Sequence, residues 1–318
     1  MHDAPKVRDT LDLFLLNQKN DYQAQLQREA TAAALQHGLR LQVHDAAMRT
    51  DRQLEQILGL IRGPSRASAL AILVHPVLDD MHQDAAREAV RAGIGWVLLN
   101  READYVSDLR RLHPGVPVFC VTPDQEEIGR VQGRLVRSLL PSGGKVLCIT
   151  GPFRSFSARQ RRRGLEEAIH GSGLQMVCIA GDYSNRSGEN AVRSWELRVD
   201  GSQSHPAFRS FFPDLVLAHN DAMADGARRA LAEVGKRRGW PHVAAVPLVG
   251  CDGTTDFGIP LVDAGALAGT VIMPGTGASA INVLQDFRRS GRTPPSRVLL
   301  EVSAYPDLIA VKPIKIHA

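Results

Sequence analysis

The sequence predicts an α/β protein made of two doubly wound parallel-sheet lobes. Three observations point to this fold class. Continuous apolar runs of strand length alternate with amphipathic helical segments, the alternation restarts once, and 318 residues are enough for two cores of ordinary size. Apolar runs without polar alternation are typical of parallel strands whose two faces are both covered by helices.

The first half of the chain begins the strand–helix alternation. Its apolar runs read LDLFLL, LRLQVHD, ALAILVHP, GWVLLN and VPVFCVT. Four of them lead into segments with helical periodicity, predicted as helices over Asp21 to His37, Asp51 to Ile61, Asp79 to Ala92 and Asp124 to Leu140. After GWVLLN we expect only a short irregular stretch. This order predicts a parallel sheet with helical crossovers.

The second half repeats the same plan. Its strand-like runs read GGKVLCITG, LQMVCIAGD, DLVLAHND and VPLVGCDG, with helices expected from about Ser157 to His170, near Gly188 to Val199 and after DLVLAHND. Each half opens with a strand, a polar loop, a helix, a Gly-Leu stop and a second strand that ends in Asp. One supersecondary plan therefore serves two lobes.

Composition excludes several classes of protein. Hydrophobic residues make up 44% and charged residues 23% of the chain, and no apolar run reaches the roughly 18 residues that span a bilayer. The formal net charge of +4 is spread along the chain, so we expect no nucleic-acid binding by this chain itself and no membrane insertion. Most of the basic run Arg159 to Arg163 is predicted to be a solvated helix face.

The four cysteines each lie in or at the end of an apolar strand-like run and show no close pairing in the sequence. They are predicted to be small buried hydrophobic residues and not a metal site or a disulfide framework, a usage that suits a reducing compartment. The N-terminal residues MHDAPKVRDTLDLFLL contain no apolar core of signal-peptide length behind a basic start.

Polar and aromatic side chains stand where the predicted strands end. They are Asn17, Asn20, Tyr22, Asn100, Arg101, Arg161, Tyr183, Asn220 and Asp252. Ligands of open parallel sheets bind beyond the carboxyl ends of the strands, so we expect these residues to line one cleft if two lobes face each other. Amide, guanidinium and carboxylate groups bridge neighbouring hydroxyls, and aromatic rings cover the C–H face of a sugar. The set predicts a neutral polyhydroxylated ligand rather than a phosphate.

Asn220 and Asp221 allow two interpretations. Asp221 is expected to be the N-cap of the helix that follows, and Asn220 is expected to contact the ligand.

Several segments in the same order resemble a known family. They are VLLNRE, GPFRSFSARQRRRG, HNDAMADGARRAL, LVGCDGT and LVDAGALAGTV. Together they are similar to the sugar-binding branch of the type I periplasmic-binding-protein superfamily, which includes ribose- and galactose-binding proteins of ABC transporters and the sensor domains of LacI-type repressors. The resemblance covers roughly Leu11 to Leu308.

The resemblance implies a set of ligand contacts. They are Asn20, Tyr22, Asn100, Arg101, Arg161, Tyr183, Asn220 and Asp252, with Met273 at the position of a further contact. Two positions depart from the ribose binders of the family: Gln23 stands where a second aromatic residue is usual, and Met273 stands in place of a glutamine. The loss of one ring and one amide argues against ribose itself and favours a different sugar, a polyol or a less polar small ligand.

The resemblance also implies the domain organisation and the mechanism. The predicted N-terminal lobe comprises 9–122 plus 274–302, and the C-terminal lobe 123–273 plus 303–318. Three crossovers, near Val121 to Asp124, Asp252 to Met273 and Glu301 to Tyr305, are expected to form a hinge. A ligand that touches both lobes would shift the population towards a closed state.

The expected function is that of a solute-binding protein, not an enzyme, that serves an ABC-type permease and uses neither a cofactor nor a metal. A ligand-sensing module for a kinase or transcriptional regulator is one alternative. A second is a sugar or nucleotide oxidoreductase that uses the Gly275–Ala280 segment, GTGASA, which formally matches a dinucleotide-binding pattern but lacks its usual context. The resemblance implies a periplasmic location, and the alternatives are a cytoplasmic protein or a true start further upstream.

Overall fold

The computed structural model describes residues 8–78, 82–199 and 206–314. The predicted mixed α/β class with parallel sheets is confirmed, because the chain forms two compact units that each contain one. Unit 1 runs to Pro123 and continues from Pro274 to Leu300, whereas unit 2 runs from Asp124 to Met273 and continues from Glu301. Asp79, predicted to start a helix, and residues 315–318 of the predicted C-terminal lobe lie outside the described residues.

Unit 1 is built on a parallel sheet. Its strands are β1 (Thr10–Leu15), β2 (Arg40–Asp45), β3 (Ala69–Val74), β4 (Gly95–Leu99), β5 (Val118–Pro123) and β11 (Arg297–Leu300), numbered along the chain. Its helices are α1 (Asp21–Gln36), α2 (Thr50–Arg62), α3 (Gln83–Arg91), α4 (Tyr105–Leu112) and α11 (Thr276–Ser290). The six strands are ordered β11-β5-β4-β3-β1-β2, and every paired neighbour is parallel.

The apolar runs of unit 1 become its buried strands. All residues of β1, β4 and β5 are buried, as expected for strands covered on both faces, whereas the edge strand β2 alternates between exposed and half-buried positions. Phe14 and Trp96 lie fully buried in the core cluster beneath α2, α3 and α4. Since the strands are parallel and in register, the residues that follow β1, β3 and β4 emerge at the same edge of this sheet.

Unit 2 contains a shorter parallel sheet and a small antiparallel pair. Its strands are β6 (Gly144–Thr150), β7 (Leu174–Ala180), β8 (Leu215–Ala218), β9 (Leu248–Val249), β10 (Thr270–Ile272) and β12 (Ser303–Tyr305). Its helices are α5 (Gln125–Leu139), α6 (Phe156–Ile169), α7 (Asn185–Val199), α8 (Asp221–Arg238), α9 (Pro241–Ala244) and α10 (Gly258–Asp263). The parallel sheet is ordered β7-β6-β8-β9, and β10 pairs with β12.

Two helix pairs of unit 2 pack with their backbones in close approach. A Cβ atom placed on Gly164 of α6 would overlap the carbonyl of Glu126 in α5, and one placed on Gly129 of α5 would overlap the carbonyl of Arg161 in α6. Gly188 of α7 and Gly226 of α8 form a second reciprocal contact of this kind. These glycines set the spacing of the helices because no side chain separates them.

The structure corrects one predicted element. The stretch after GWVLLN, expected to be irregular, contains the helix α4. Val106 and Leu109 lie three residues apart on one face of α4 and are buried against the sheet together with Tyr105. The polar residues Ser107 and Asp108 between them obscure this short apolar stripe in the sequence.

None of the helices in the described ranges has both the length and the hydropathy that a membrane crossing requires.

Candidate functional site

The loop after β1 holds the first group of predicted contacts. Asn20 is the N-cap of α1, and its Oδ1 accepts a hydrogen bond from the backbone N–H of Gln23 at 3.2 Å. Asn17 Oδ1 in turn accepts from the backbone N–H groups of Lys19 and Asn20, both at 2.9 Å. The asparagines therefore shape the loop through local backbone contacts, as short polar side chains commonly do before helices.

A buried side-chain network joins the carboxyl ends of three strands in unit 1. Tyr22 donates its hydroxyl hydrogen to Asn100 Oδ1 at 2.7 Å, and Gln23 Nε2 lies 2.8 Å from His75 Nδ1. Asn100 Nδ2 lies 3.4 Å from the same His75 nitrogen. Gln23, which the resemblance marks as a departure, thus connects α1 to the residue that follows β3.

His75 is a candidate that the sequence did not single out as a ligand contact. Its Nδ1 faces two amide donors, so Nε2 carries the proton, and Nε2 has no hydrogen-bond partner among the described residues. Burial, followed by the nearby charge of Arg101, lowers the pKa of His75 well below its usual value and keeps the ring neutral. The sequence feature that could have selected His75 is its position at the end of the apolar run ALAILVHP, since the other candidate contacts also follow predicted strands.

Asn100 and Arg101 follow β4 directly. Asn100 is 4% exposed and has a φ of +59°, a left-handed conformation that asparagine tolerates better than most residues. Arg101 is half-buried, and its Nη1 donates to the backbone carbonyl of Asn100 at 3.0 Å. This turn places an amide and a guanidinium side by side at the sheet edge.

Arg161 is the central cation of unit 2 and is held on three sides. Its Nε donates to Gln125 Oε1 at 2.8 Å, and its Nη1 donates to the carbonyl of His219 at 2.6 Å. Its Nη2 lies 3.3 Å from the sulfur of Met273. Arg161 is 5% exposed, whereas the neighbouring arginines of the basic run face solvent as predicted. Two predicted contacts, Arg161 and Met273, are therefore brought together.

The expected role of Asp221 as the N-cap of α8 is corrected. Asn220 is the N-cap of α8, because its Oδ1 accepts from the backbone N–H of Met223 at 2.9 Å, and Asp221 is not the cap. Asn220 Nδ2 donates to the carbonyl of Tyr183 at 2.9 Å, which brings two predicted contacts together. Asn220 adopts extended backbone angles, which suit an N-cap, while Asp221 already has its carboxylate turned into the protein.

Asp221 supports the loop that carries Asp252. Its Oδ1 accepts from the Thr270 hydroxyl at 2.7 Å, and its Oδ2 accepts from the backbone N–H of Gly253 at 2.8 Å. Burial, with a further contribution from Asp252, raises the pKa of the Asp221 carboxyl well above its usual value. Asp252 itself has a φ of +106° and pairs through its backbone with β10. The carboxylate of Asp221 therefore orients Asp252 indirectly.

His219, at the end of β8, parallels His75. Its Nδ1 accepts from the backbone N–H of Gly151 at 3.2 Å, so Nε2 carries the proton, and Nε2 has no partner within the described ranges. Burial, followed by the charges of Arg161 and Arg162, lowers the pKa of His219 to about 3. His219 was not selected as a candidate from the sequence because it directly follows the apolar run of β8.

The segment Gly275 to Ala280 has a packing role. Gly275 is the N-cap of α11, and a Cβ atom there would overlap the carboxylate of Glu29. A Cβ atom placed on Gly277 would lie 3.0 Å from the Cβ of Ala30 in α1. Since an acidic side chain occupies the helix N-terminus where a pyrophosphate would bind, the geometry does not favour a dinucleotide. In the described part of the chain no group of three His, Cys, Asp or Glu residues that could hold a metal ion is present.

The predicted contacts thus lie in two sets, one in each unit. Asn20, Tyr22, Asn100 and Arg101 surround the strand ends of unit 1, and Arg161, Tyr183, Asn220, Asp252 and Met273 surround those of unit 2. Their participation in ligand binding stays a prediction.

Comparison with known proteins identifies the family. A family model described as "Periplasmic binding protein domain" matches residues 12–290. The chain belongs to this family. The resemblance drawn from the sequence motifs is confirmed, and members of this family bind solutes and do not catalyse reactions, in agreement with the expectation that the chain is not an enzyme.

Two curated relatives and one solved structure illustrate the similarity. The ribose import binding protein RbsB of Salmonella typhimurium is 27% identical over 83% of this chain and 79% of its own length. The galactofuranose-binding protein YtfQ of Escherichia coli is 23% identical over 87% of this chain and 82% of its own. An ABC transporter periplasmic solute-binding protein from Actinobacillus succinogenes, solved with bound D-allose, superposes with a TM-score of 0.77 at 20% identity, covering 94% of this chain and 98% of that chain.

Proposed function

We propose that the chain is a solute-binding protein that binds a sugar or polyol for an ABC-type importer. The observation that carries this proposal is the buried cluster of Tyr22, Gln23, Asn100 and His75 at the strand ends of unit 1, with the Nε2–H of His75 uncommitted among the described residues. The names of the curated relatives, which refer to ribose and galactofuranose, support the same ligand class.

The side chains of the two sets of predicted contacts, one in each unit, are suited to form hydrogen bonds with hydroxyl groups. His75 stays neutral at pH 7 because its pKa lies well below its usual value, so it offers a hydrogen-bond donor without a charge. Arg161 offers a guanidinium that is held rigidly, which reduces the entropy lost when a ligand is bound. A neutral ligand with several hydroxyls uses such donors and amides without leaving an unpaired charge in a buried place.

Closure remains the proposed mechanism. If one ligand contacts residues of both sets, its differential affinity favours the closed state over the open one, and the closed state is what a permease would recognise. An ABC permease as partner and an exported, periplasmic location belong to this proposal; the family description and the relatives support both. Gln23 and Met273 support a ligand other than ribose.

A thermal-shift screen of pentoses, hexoses and polyols, followed by calorimetric titration of the hits, tests the proposal. Asp252→Asn keeps the size of the side chain and removes its charge, and should weaken binding of the hit at least about tenfold, equivalent to about 1.4 kcal/mol. Asp256→Asn, an exposed aspartate in the same loop, is the matched control and should bind like the parent protein. Failure of every sugar and polyol to stabilise the protein would refute the ligand class, and equal binding by both variants would refute the assignment of Asp252.

A further inference from the structure

Two of the four cysteines lie opposite each other on neighbouring strands. Cys148 of β6 and Cys178 of β7 are register partners in the parallel sheet of unit 2. The two positions are far apart along the chain because α6 and its loops separate them, so their proximity is visible only in the register of the sheet. Cys120, by contrast, lies within β5 and Cys251 follows β9, and both are buried.

The geometry of the pair permits a covalent bond. Register partners on neighbouring strands are separated by about 4.8 Å and present their side chains on the same face of the sheet. A disulfide needs Cα atoms roughly 4.4–6.8 Å apart and Cβ atoms that point to the same side, so the pair meets both conditions. The two thiols are neighbours in the sheet, and each shifts the pKa of the other.

Access and charge distinguish Cys178 from the other thiols. It lies on β7, the outer strand of its sheet, and is half-buried, whereas Cys148 is fully buried. The neighbouring thiol of Cys148 lowers the pKa of Cys178 and burial opposes this effect. The charge of Arg162 on α6 lowers the pKa further, and that of Glu166 acts in the opposite direction. Burial raises the pKa of Cys120 to about 11 and that of Cys251 to about 12, which makes those two thiols poor nucleophiles.

We propose that Cys148 and Cys178 form a redox-active pair that closes to a disulfide across β6 and β7 by exchange with a small-molecule disulfide. Cys178 attacks as the thiolate, forms a mixed disulfide and releases one thiol of the oxidant. Cys148 then loses its proton and attacks the sulfur of Cys178, which breaks the mixed bond and releases the second thiol. Two protein thiols and one disulfide thus become one protein disulfide and two small thiols. The proposal does not depend on the ligand-binding function.

The bond would close a loop that contains all of α6. Residues 148–178 include Arg161, so oxidation would tie the helix that carries this cation at both ends to adjacent strands. A cross-link of this kind reduces the conformational entropy of the unfolded chain. We therefore expect the oxidised protein to unfold at a higher temperature than the reduced protein, without any change in the set of residues around Arg161.

The test treats the purified, reduced, full-length chain with oxidised glutathione at pH 7.5 and counts thiols after denaturation. The expected result is the loss of two of four thiols, an intact mass lower by two hydrogens, one cross-linked peptide containing Cys148 and Cys178, and full reversal by dithiothreitol. Cys178→Ser should abolish the loss of thiols, and Cys148→Ser should stop at a mixed disulfide on Cys178. Arg162→Gln should slow the first step several-fold.

Cys120→Ser is the control, and it should form the same cross-link at the same rate as the parent. Persistence of all four thiols under these conditions would overturn the proposal, as would a cross-link that involves Cys120 or Cys251. Stable glutathione on Cys178 in the parent protein, with Cys148 still reduced, would also overturn it, because the second attack would then not occur.

Discussion

The two units hold their strand-end residues in place by different means. In unit 1 the positions of Tyr22, Asn100 and His75 depend on hydrogen bonds between polar side chains. In unit 2 the position of Arg161 depends on α6 lying against α5 with glycine at both contact points, Gly129 and Gly164. The first set is therefore sensitive mainly to the loss of polar groups. Arg161, which is also held by hydrogen bonds, is sensitive in addition to any side chain placed at the two glycine contacts.

The helices of unit 1 show the contrast directly. Gly59 of α2 has nothing within 4 Å of the position that a Cβ would take, and a Cβ on Gly277 of α11 would first meet the methyl group of Ala30, at 3.0 Å. Helices of unit 1 thus pack through side chains that can adjust, whereas α5 and α6 pack through backbone that cannot.

The largest effect should come from Gly164→Ala. The added Cβ would overlap the carbonyl of Glu126, so α5 and α6 must separate, and we expect a loss of about 3 kcal/mol of unfolding free energy, greater than the gain in helix propensity. Hydrogen exchange followed by mass spectrometry should show lost protection in peptides of unit 2, with unit 1 little changed.

Gly59→Ala is the matched control in unit 1. It lies in the interior of α2 with open space around it, so the substitution should stabilise the protein by about 0.5–1 kcal/mol. If the two variants have similar effects on stability, the distinction drawn between the units is wrong.

Much of the fold was predictable because it rests on local apolar patterns. Strands buried on both faces, such as β1 and β5, read as continuous apolar runs, and the predicted ends of α1 and α5 lie within one residue of those observed. The short helix α4 was missed since its apolar stripe spans only two turns. A sequence pattern this short does not distinguish a helix from an irregular segment.

The candidate site was predictable only in part. Strand ends show which polar residues emerge at one edge of a sheet, which is enough to select Arg161 and Asn100. They do not show which of two adjacent polar residues caps the following helix, so the N-cap of α8 was assigned to Asp221 although Asn220 occupies it. Contacts between residues far apart in the chain, such as Cys148 with Cys178, depend on strand register, and that emerges only when the sheet is assembled.

Loss of stability at acidic pH should be an effect that the two units share, since each contains a buried neutral histidine. The pKa of His75 lies well below its usual value and that of His219 is about 3, so the folded protein does not take up the protons that the unfolded chain binds below about pH 6.5. Their contribution to stability is complete above pH 6.5 and is lost as the pH falls towards the folded-state values. Between pH 7 and pH 5 we expect a loss of up to about 2 kcal/mol per histidine, measured by urea unfolding.

The substitutions His75→Asn and His219→Asn test whether these two histidines cause the loss of stability at acidic pH. The amide oxygen of asparagine takes the place of Nδ1, so Gln23 and the backbone N–H of Gly151 keep an acceptor while the titrating group is removed. Each variant should show a shallower loss of stability between pH 7 and pH 5, by a similar amount. A slope unchanged by both substitutions would mean that other groups govern the acid sensitivity.

A smaller effect should come from Tyr22→Phe, which tests whether hydrogen bonds set the geometry of unit 1. The substitution removes the donor to Asn100 Oδ1, leaves that buried oxygen with one partner fewer, and should cost about 1 kcal/mol of unfolding free energy. Tyr183→Phe is the counterpart in unit 2. There the described contact to Asn220 is made by the backbone carbonyl, which phenylalanine retains, so the loss should be smaller. If urea unfolding gives the larger loss for Tyr183→Phe, side-chain hydrogen bonds matter more to unit 2 than its glycine contacts indicate.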